Sequence, residues 1–265
     1  MKLAVAGATG RMGRAVLACA LRAQDVTLTG ALARPGSPAI GRDAGLLVGW
    51  EATGVTVADE PASVIAGCDV LIDFTQREAS REYAQHCARL GRRAVIGTTG
   101  LSGDDRAALA RLGQRTAFVV AANMSMGVTL ALHLLGIAAR VLGEADVEIF
   151  EAHHRHKRDA PSGTALSMGE AVAKARGREL DDLAVYDRHG LDVPRAAGTI
   201  GFASLRAGEI VGEHRAFLAL PAERLEIAHR AENREVFAQG ALKAAHFLMG
   251  RESGVYDMQD VLGLR

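Results

Sequence analysis

The 265-residue sequence has only three cysteines, Cys19, Cys68 and Cys87, an odd number without C-x-x-C spacing. That excludes a disulfide scaffold of the secreted kind and suits a reducing compartment. Charge of one sign is missing as well: 31 Lys and Arg balance 31 Asp and Glu. No global field draws such a chain onto nucleic acid or an anionic membrane, so any anion site must be local. No apolar run approaches the roughly 18–20 residues that span a bilayer. The first twenty residues mimic a signal peptide, with Lys2 near the start and Ala18-Cys19-Ala20 like a cleavage site, yet Gly7, Gly10, Arg11, Gly13 and Arg14 interrupt its apolar core. We expect a soluble cytoplasmic protein with neither nucleic acid nor membrane as partner. Internal repeats and low-complexity segments are absent.

What the chain has is apolar substance, at 49% hydrophobic residues against 23% charged, enough for one large domain or two modest ones. In the first half, short runs rich in Val, Leu and Ile at Lys2–Ala6, Val26–Leu32, Val70–Asp73, Ala94–Ile96 and Ala117–Val120 predict buried strands. Helical patterns at Arg11–Ala23, Ala79–Leu90 and Asp104–Leu112 fall between several of them. Such alternation implies right-handed βαβ crossovers: an α/β, Rossmann-type doubly wound parallel sheet with ligands at the carboxyl ends of its strands. The second half predicts a helix at Gly127–Leu142, a strand at Val147–Ala152, a helix at Gly163–Ala175, and strands at Thr199–Leu205, Ile210–Leu218 and Arg224–His229. Strands following one another through short turns suggest a second α+β domain with a mixed sheet. The expected boundaries are 1–125, 126–234, and a C-terminal segment 235–265, whose helix Glu235–Met249 and tail Asp257–Leu264 return to the first domain. The loopiest stretch, Arg34–Gly54, holds five glycines and two prolines.

The first strand runs straight into Gly7-Ala8-Thr9-Gly10-Arg11-Met12-Gly13 and then a helix. Glycine there permits a tight turn, close backbone approach to a pyrophosphate and close helix packing, and the helix start offers free N–H groups to phosphate. The G-x-x-G-x-x-G spacing departs from the strict dinucleotide fingerprint, so the competing reading is a mere glycine-rich turn. The second strand ends Leu32-Ala33-Arg34 with no carboxylate for a ribose 2′-hydroxyl, while Arg34, with Arg11 in the loop, suits a 2′-phosphate. NADPH is expected ahead of NADH. Two more turns at strand ends, Gly97-Thr98-Thr99 and Ala121-Ala122-Asn123-Met124, offer small and polar residues where nicotinamide and its ribose could lie.

The densest polar stretch runs from Glu151 through His153-His154-Arg155-His156-Lys157-Arg158 to Pro161-Ser162-Gly163-Thr164. Three readings compete. A metal site on His153, His154 and His156 is disfavoured by Arg155, Lys157 and Arg158 crowding the ion, and no metal is expected. A solvated basic segment is the default for a charge run. The third is a site for a small anionic molecule with proton-donating chemistry, because a helix opening at Gly163 beside cations binds carboxylate and Lys or His can donate a proton.

With these residues together, the chain resembles the 4-hydroxy-tetrahydrodipicolinate reductase (dihydrodipicolinate reductase) family, through GATGRMG at Gly7–Gly13, IGTTG at Ile96–Gly100, AANMSMG at Ala121–Gly127, EAHHRHKRDAPSGTA at Glu151–Ala165, GTIGFASLRAGEIVGEH at Gly198–His214 and the tail at Glu252–Leu262. The resemblance implies NAD(P)H-dependent reduction of a small cyclic dicarboxylate in the diaminopimelate route to lysine, by a homotetramer assembled through the second domain's sheet. It also implies that His153 and Lys157 are the catalytic pair, that His154, Gly163 and Thr164 bind substrate carboxylates, and that Gly7–Met12, Arg34, Gly97–Thr99 and Ala121–Met124 contact the nucleotide. Family members that use NADH well carry an acidic residue where this chain has Ala33. Two rivals remain: an aspartate-semialdehyde-type dehydrogenase, which needs a cysteine nucleophile at a helix N-terminus, and a non-catalytic nucleotide sensor, which has no use for the basic stretch.

Overall fold

The computed structural model describes residues 1–265. In chain order the elements are β1 (Lys2–Ala6), α1 (Arg11–Arg22), β2 (Thr27–Leu32), β3 (Val57–Ala58), α2 (Pro61–Ala66), β4 (Val70–Asp73), α3 (Arg77–Leu90), β5 (Arg93–Ile96), α4 (Gly103–Leu112) and β6 (Ala117–Val120). Then follow α5 (Met126–Val141), β7 (Asp146–His153), α6 (Gly163–Ala175), β8 (Ala184–Val185), β9 (Ile200–Arg206), β10 (Gly212–Ala219), β11 (Arg224–Ala231), α7 (Glu235–Met249), β12 (Gly254–Tyr256) and α8 (Met258–Leu262). Two compact units result, one of Met1–Met126 with Arg234–Arg265, the other of Gly127–Asn233.

The larger unit is a seven-stranded sheet in the order β12-β6-β5-β4-β1-β2-β3, every pairing parallel. The order reverses between β1 and β4, which makes the carboxyl ends of those strands the switch point where open α/β sheets bind ligands. Its strands are apolar without alternation because both faces are covered. Leu3, Val5, Val70, Ile72, Val95 and Val119 pack into one core cluster with α1 and α7, while Ala4, Ala6, Leu71, Ala94, Ile96 and Phe118 pack into the other with α3. Helix α3 shows the helical period plainly, burying Ser80, Tyr83, Ala84, Cys87 and Ala88, and it ends at Gly91 in the left-handed conformation. Helix α7 buries mainly alanines and Gly240, where a Cβ would stand 1.7 Å from the Met124 carbonyl oxygen. Small residues let it lie close. The tail contributes β12, parallel to β6, and Met258 and Val261 of α8 join the core.

The smaller unit has a five-stranded mixed sheet, β11-β10-β7-β9-β8, antiparallel at β11·β10 and β10·β7 and parallel at β7·β9 and β9·β8. Alternate residues define its inner face: Val147 and Ile149 of β7, Ile200 and Phe202 of β9, and Ala216 and Leu218 of β10 bury with Leu135 and Ala139 of α5 and Ala165, Met168 and Val172 of α6.

The alternation of strands and helices in the first half and the mixed sheet in the second match the expectation from sequence. Differences are local. The elements β3, β8 and β12 have two or three residues and α2 has six, too few for a period to be read. Strand β10 starts at Gly212 instead of Ile210, because the chain turns at Gly208, whose φ is +48° and whose carbonyl takes the Arg155 N–H. The Arg34–Gly54 loop is organised by one side chain, the Asp43 carboxylate, which accepts the N–H groups of Gly45, Thr53 and Gly54.

At Gly13 a Cβ would stand 2.0 Å from the Gly7 carbonyl oxygen. Gly13→Ala is therefore expected to destabilise the protein by about 1–3 kcal/mol through overpacking; an unchanged melting temperature would contradict the close packing of α1 on the loop.

Candidate active site

Two groups of residues stand at strand ends, one in each unit. In the larger unit the glycine loop leaves β1 through Gly7, at φ +70°, and α1 opens at Gly10. The Arg14 N–H is bonded to the Gly10 carbonyl, so the N–H groups of Arg11, Met12 and Gly13 lie ahead of the first helical bond. The first turn has no acidic residue and α1 no side-chain cap. Backbone donors at a helix start, with glycines whose Cβ positions are sterically closed at Gly13 and tight at Gly7 and Gly10, form a cradle that fits a nucleotide pyrophosphate. The Ala8 N–H, bonded to the Leu32 carbonyl, ties the loop to the end of β2. There Ala33 is buried with its N–H on the Ala58 carbonyl, and Arg34 is exposed.

The other predicted nucleotide residues gather at the ends of β5 and β6. Gly97 is buried beneath the Phe74 ring, which a Cβ there would meet at 2.3 Å. Thr98 turns its hydroxyl inward, to Ser80 and to the Thr75 carbonyl, whereas Thr99 is exposed. Ala121 donates its N–H to Ile96, Asn123 caps the turn by accepting the Ser125 N–H at 2.8 Å, and Met124 is 1% exposed in the core. Sequence reading missed Phe74 and Thr75, which follow β4 and close against Gly97 and Gly7, and Arg234 at the start of α7, whose pKa is lowered by burial and then by the nearby Arg11 charge.

In the smaller unit the inner face of the sheet changes character at one end. The alternation Val147, Ile149 continues as Glu151, His153; Ile200, Phe202 continues as Ser204, Arg206; and on antiparallel β10 His214 precedes Ala216 and Leu218. Register sets Glu151 against Ser204 and His214, and His153 against Arg206. Arg206 grips the Glu151 carboxylate with both terminal nitrogens at 2.8 and 2.7 Å, the Ser162 N–H adds a bond at 3.2 Å, and His153 Nδ1 lies 2.6 Å from Oε2. The carboxylate is 1% exposed. Burial alone would raise its pKa; the hydrogen bonds from Arg206, His153 and Ser204 outweigh that and bring it down to about 2.

An ionised Glu151 makes Nδ1 of His153 the protonated nitrogen. The Nε2 edge of the ring is left for other partners. A Cβ at position 212 would stand 3.1 Å from it, so Gly212 keeps that edge open. Burial lowers the His153 pKa in spite of Glu151. His214, edge-on to His153 at 5.1 Å between ring centres, has Nε2 2.9 Å from the Ser162 hydroxyl and is brought down to about 4 by burial and then by the neighbouring His153. Ser162 also caps α6, accepting the Ala165 N–H at 3.2 Å. At Gly163, the first residue of α6, a Cβ would meet nothing within 4 Å, so the chain's own packing does not require glycine there. The Leu166 N–H is bonded to the Ser162 carbonyl, so the N–H groups of Gly163 and Thr164 belong to the first turn, ahead of that helical bond.

Lys157 is held in the turn after β7 by its N–H on the His154 carbonyl, and its ammonium pairs with Asp159 at 2.9 Å rather than with His153. Its charge is nevertheless felt at both His153 and His214. Strand β7 ends at His153, so His154 and His156 lie in a turn and not on a shared strand face; their rings are tilted at 42° with centres 6.2 Å apart. Glu151, Ser162, Arg206 and His214 were the partners that sequence reading did not assign. The apolar-to-polar switch at alternate positions of three strands is the signal that could have found them.

The cysteines speak against a thiol nucleophile: all three are buried, and burial raises the pKa of each, that of Cys68 to about 12.

Comparison with known proteins comes from both sequence and structure. The family models described as dihydrodipicolinate reductase, N-terminus, and dihydrodipicolinate reductase, C-terminus, match residues 1–124 and 127–262. The chain is 51% identical over 266 residues to the 4-hydroxy-tetrahydrodipicolinate reductase of Nitrosomonas europaea and 53% identical over 266 residues to that of Methylococcus capsulatus, covering 100% of this chain and 99% of each relative. Among solved structures, dipicolinate-bound dihydrodipicolinate reductase from Paenisporosarcina sp. TG-14 superposes with a TM-score of 0.80 at 23% identity, covering 98% of both chains. Aspartate semialdehyde dehydrogenase II from Vibrio cholerae shares the fold more distantly, with a TM-score of 0.57 at 10% identity over 94% of this chain and 98% of that one.

The shifted pKa values of His214 and Glu151 give a signed prediction for acid stability. His214 has a folded pKa of about 4 against 6.5 unfolded, so the unfolded state takes up the proton first and stability falls as pH drops from 6.5 to about 4. Glu151, at about 2 folded and 4.5 unfolded, contributes stability that is full above pH 4.5 and is lost as pH falls toward 2. Melting temperatures across this range should show His214→Gln making the first fall shallower and Glu151→Gln the second. A wild-type melting temperature that stays flat from pH 6.5 to 4 contradicts a neutral buried His214.

Proposed function

The chain belongs to the dihydrodipicolinate reductase family, and on that premise we propose how its own residues divide the work of reducing 4-hydroxy-tetrahydrodipicolinate to tetrahydrodipicolinate in diaminopimelate and lysine biosynthesis. The bound nicotinamide nucleotide supplies the hydride. The glycine loop, Gly7-Ala8-Thr9-Gly10-Arg11-Met12, binds its pyrophosphate through backbone N–H groups, and the turns Gly97–Thr99 and Ala121–Met124 line the nicotinamide half. Arg34 and Arg11 take the 2′-phosphate, so NADPH is preferred over NADH; the absence of a carboxylate at the end of β2 supports this.

The observation that carries the substrate side is the buried Glu151–Arg206 pair, which locks the His153 ring with its Nε2 edge beside Gly212. His154 and the N–H groups of Gly163 and Thr164 hold the substrate carboxylates, a reading supported by the open Cβ position at Gly163 and by the dicarboxylate in the Paenisporosarcina enzyme. Loss of the substrate's 4-hydroxyl as water leaves a conjugated ring, and hydride delivered to that ring from the bound nucleotide would build negative charge on the adjacent ring atoms. Lys157 provides the cation and the proton there, with Asp159 as its resting counter-ion. His153, neutral near pH 7 and backed by a carboxylate, accepts a hydrogen bond at Nε2 and becomes a stabilised imidazolium if proton moves onto it.

The protein acts in the cytoplasm as a homotetramer built on the smaller unit's sheet. In support, the outer face of that sheet carries Leu205, 39% exposed, and Phe217 between Arg215 and Arg224. No helix is long and apolar enough to cross a membrane.

The test follows nucleotide absorbance with substrate generated in situ from pyruvate and aspartate semialdehyde. Lys157→Ala should lower kcat by about 10²–10⁴ while nucleotide affinity holds; near-normal turnover would sink the assignment. Arg34→Ala should raise KM for NADPH roughly tenfold, the value of one charge-assisted contact, and leave NADH nearly unchanged. Equal effects on both nucleotides would remove Arg34 from the 2′-phosphate.

A further inference from the structure

Asp73, 1% exposed at the carboxyl end of β4, has no part in the chemistry above, and its contacts are unusual in number and kind. Its Oδ1 accepts the Thr75 N–H at 2.8 Å and the Thr75 hydroxyl at 2.6 Å. Its Oδ2 lies 2.5 Å from Ser80 Oγ, which lies 2.5 Å from Thr98 Oγ1, and Thr98 Oγ1 lies 3.0 Å from the Thr75 carbonyl oxygen. No basic side chain is among these partners. The titratable groups that sense Asp73 are Tyr83 and Cys87 of α3, both neutral near pH 7, since burial first and Asp73 among the lesser causes raise their pKa values.

Protons can be counted along this chain. Four short side-chain bonds, from Thr75 to Oδ1, between Oδ2 and Ser80, between Ser80 and Thr98, and from Thr98 to the Thr75 carbonyl, share the three hydroxyl protons of Thr75, Ser80 and Thr98, while a fifth contact, Thr75 Oγ1 to Ser80 Oγ, is long at 3.5 Å. With the carboxylate ionised, Ser80 gives its proton to Oδ2, and the single Thr98 proton must serve two acceptors. One more proton, on Oδ2, completes the four short bonds: Oδ2–H donates to Ser80, Ser80 to Thr98, Thr98 to the Thr75 carbonyl, and Thr75 to Oδ1. Burial without a counter-ion favours the same form, and it raises the Asp73 pKa.

We propose that Asp73 is a neutral carboxylic acid in the folded protein and a positioning residue for the nucleotide site, holding the β4–α3 and β5–α4 turns against the glycine loop. The proposal rests on the reading of that loop as the nucleotide site. Three contacts connect the chain of hydroxyls to it. The Thr75 methyl is the group a Cβ at Gly7 would meet, at 3.0 Å; the Phe74 ring closes over Gly97; and the Gly97 N–H is bonded to the Asp73 carbonyl at 2.8 Å. With its hydroxyl committed inward, Thr98 presents only backbone to a ligand, and the adjacent Thr99 is the exposed side chain.

Two measurements on the full chain test this. In infrared difference spectra of wild type against Asp73→Asn at pH 7, the wild type should show a protonated carboxylic C=O band; carboxylate bands in its place overturn the neutral acid. In titrations with NADPH, Asp73→Ala should weaken Kd roughly tenfold, the loss of one to two hydrogen bonds, whereas Asp73→Asn, whose amide donates to Ser80 and whose carbonyl accepts from Thr75, should stay within about twofold of wild type. The rate at saturating NADPH should change less than Kd in both. An Asn variant as impaired as the Ala variant, or an Ala variant with wild-type affinity, overturns the positioning role. Should Asp73→Ala fail to fold, Ser80→Ala breaks the same chain and must weaken NADPH binding; wild-type affinity there overturns the proposal. A wild type with the protonated band and no affinity for NADPH overturns the nucleotide reading and the positioning role with it, and leaves the proton assigned.

Discussion

An ionised carboxylate is expensive to bury, and Glu151 is buried almost completely. Around it the smaller unit supplies a bidentate arginine from β9, a backbone N–H from the residue that caps α6, and an imidazole from its own strand. Each partner comes from a different stretch, so satisfying one charge also sets the relation of β7, β9 and the start of α6. Removing either member of the Glu151–Arg206 pair would leave the other unpaired. The orientation of His153 and the place of the cap on α6 follow from that pairing, and Ser162 links Glu151 to His214 through two of its own atoms, while burial keeps His214 neutral.

The larger unit answers the same problem of polar groups in an apolar frame in another way. Its central strands bury apolar residues on both faces, and the residues of the candidate nucleotide site lie at the carboxyl ends, where turns expose backbone. Anion binding there relies on N–H groups at the start of α1, with arginines at the edge, so the loop needs glycine where backbone must pass backbone: at Gly13 against Gly7. The Asp73, Thr75, Ser80 and Thr98 cluster is a deeply buried polar network of this unit near those turns, and it is built from hydroxyls and a carboxyl with no cation.

Much of this was legible in the residues. β1, β4, β6, α6 and α7 have the limits that apolar periodicity predicts, since long or fully apolar elements leave a period or a run to read. The short elements β3, β8 and β12 were not legible, because their pairing comes from neighbours far along the chain: β12 is held by β6, more than a hundred residues earlier. The stretch from His153 to Thr164 announced anion chemistry by composition. That Lys157 rests on Asp159, and that Thr98 turns inward instead of toward a ligand, could not be read from it. Both depend on which way a side chain points once its turn is packed.

The sequence alone determined the fold class, the phosphate-ready loop at Gly7–Gly13, the basic stretch before Pro161 and, through the residues it shares with its relatives, the reductase family. These are properties of local order: periodicity, glycine spacing and the identity of neighbours in the chain. Only the tertiary structure decided that Glu151 is the hidden anchor of His153, that Arg206 and His214 belong to the same cluster, and that Asp73 sits among hydroxyls without a counter-ion. Those relations are set by strand register and by burial, which bring together residues up to 63 positions apart, His214 and Glu151 among them, through hydrogen bonds that no linear spacing encodes.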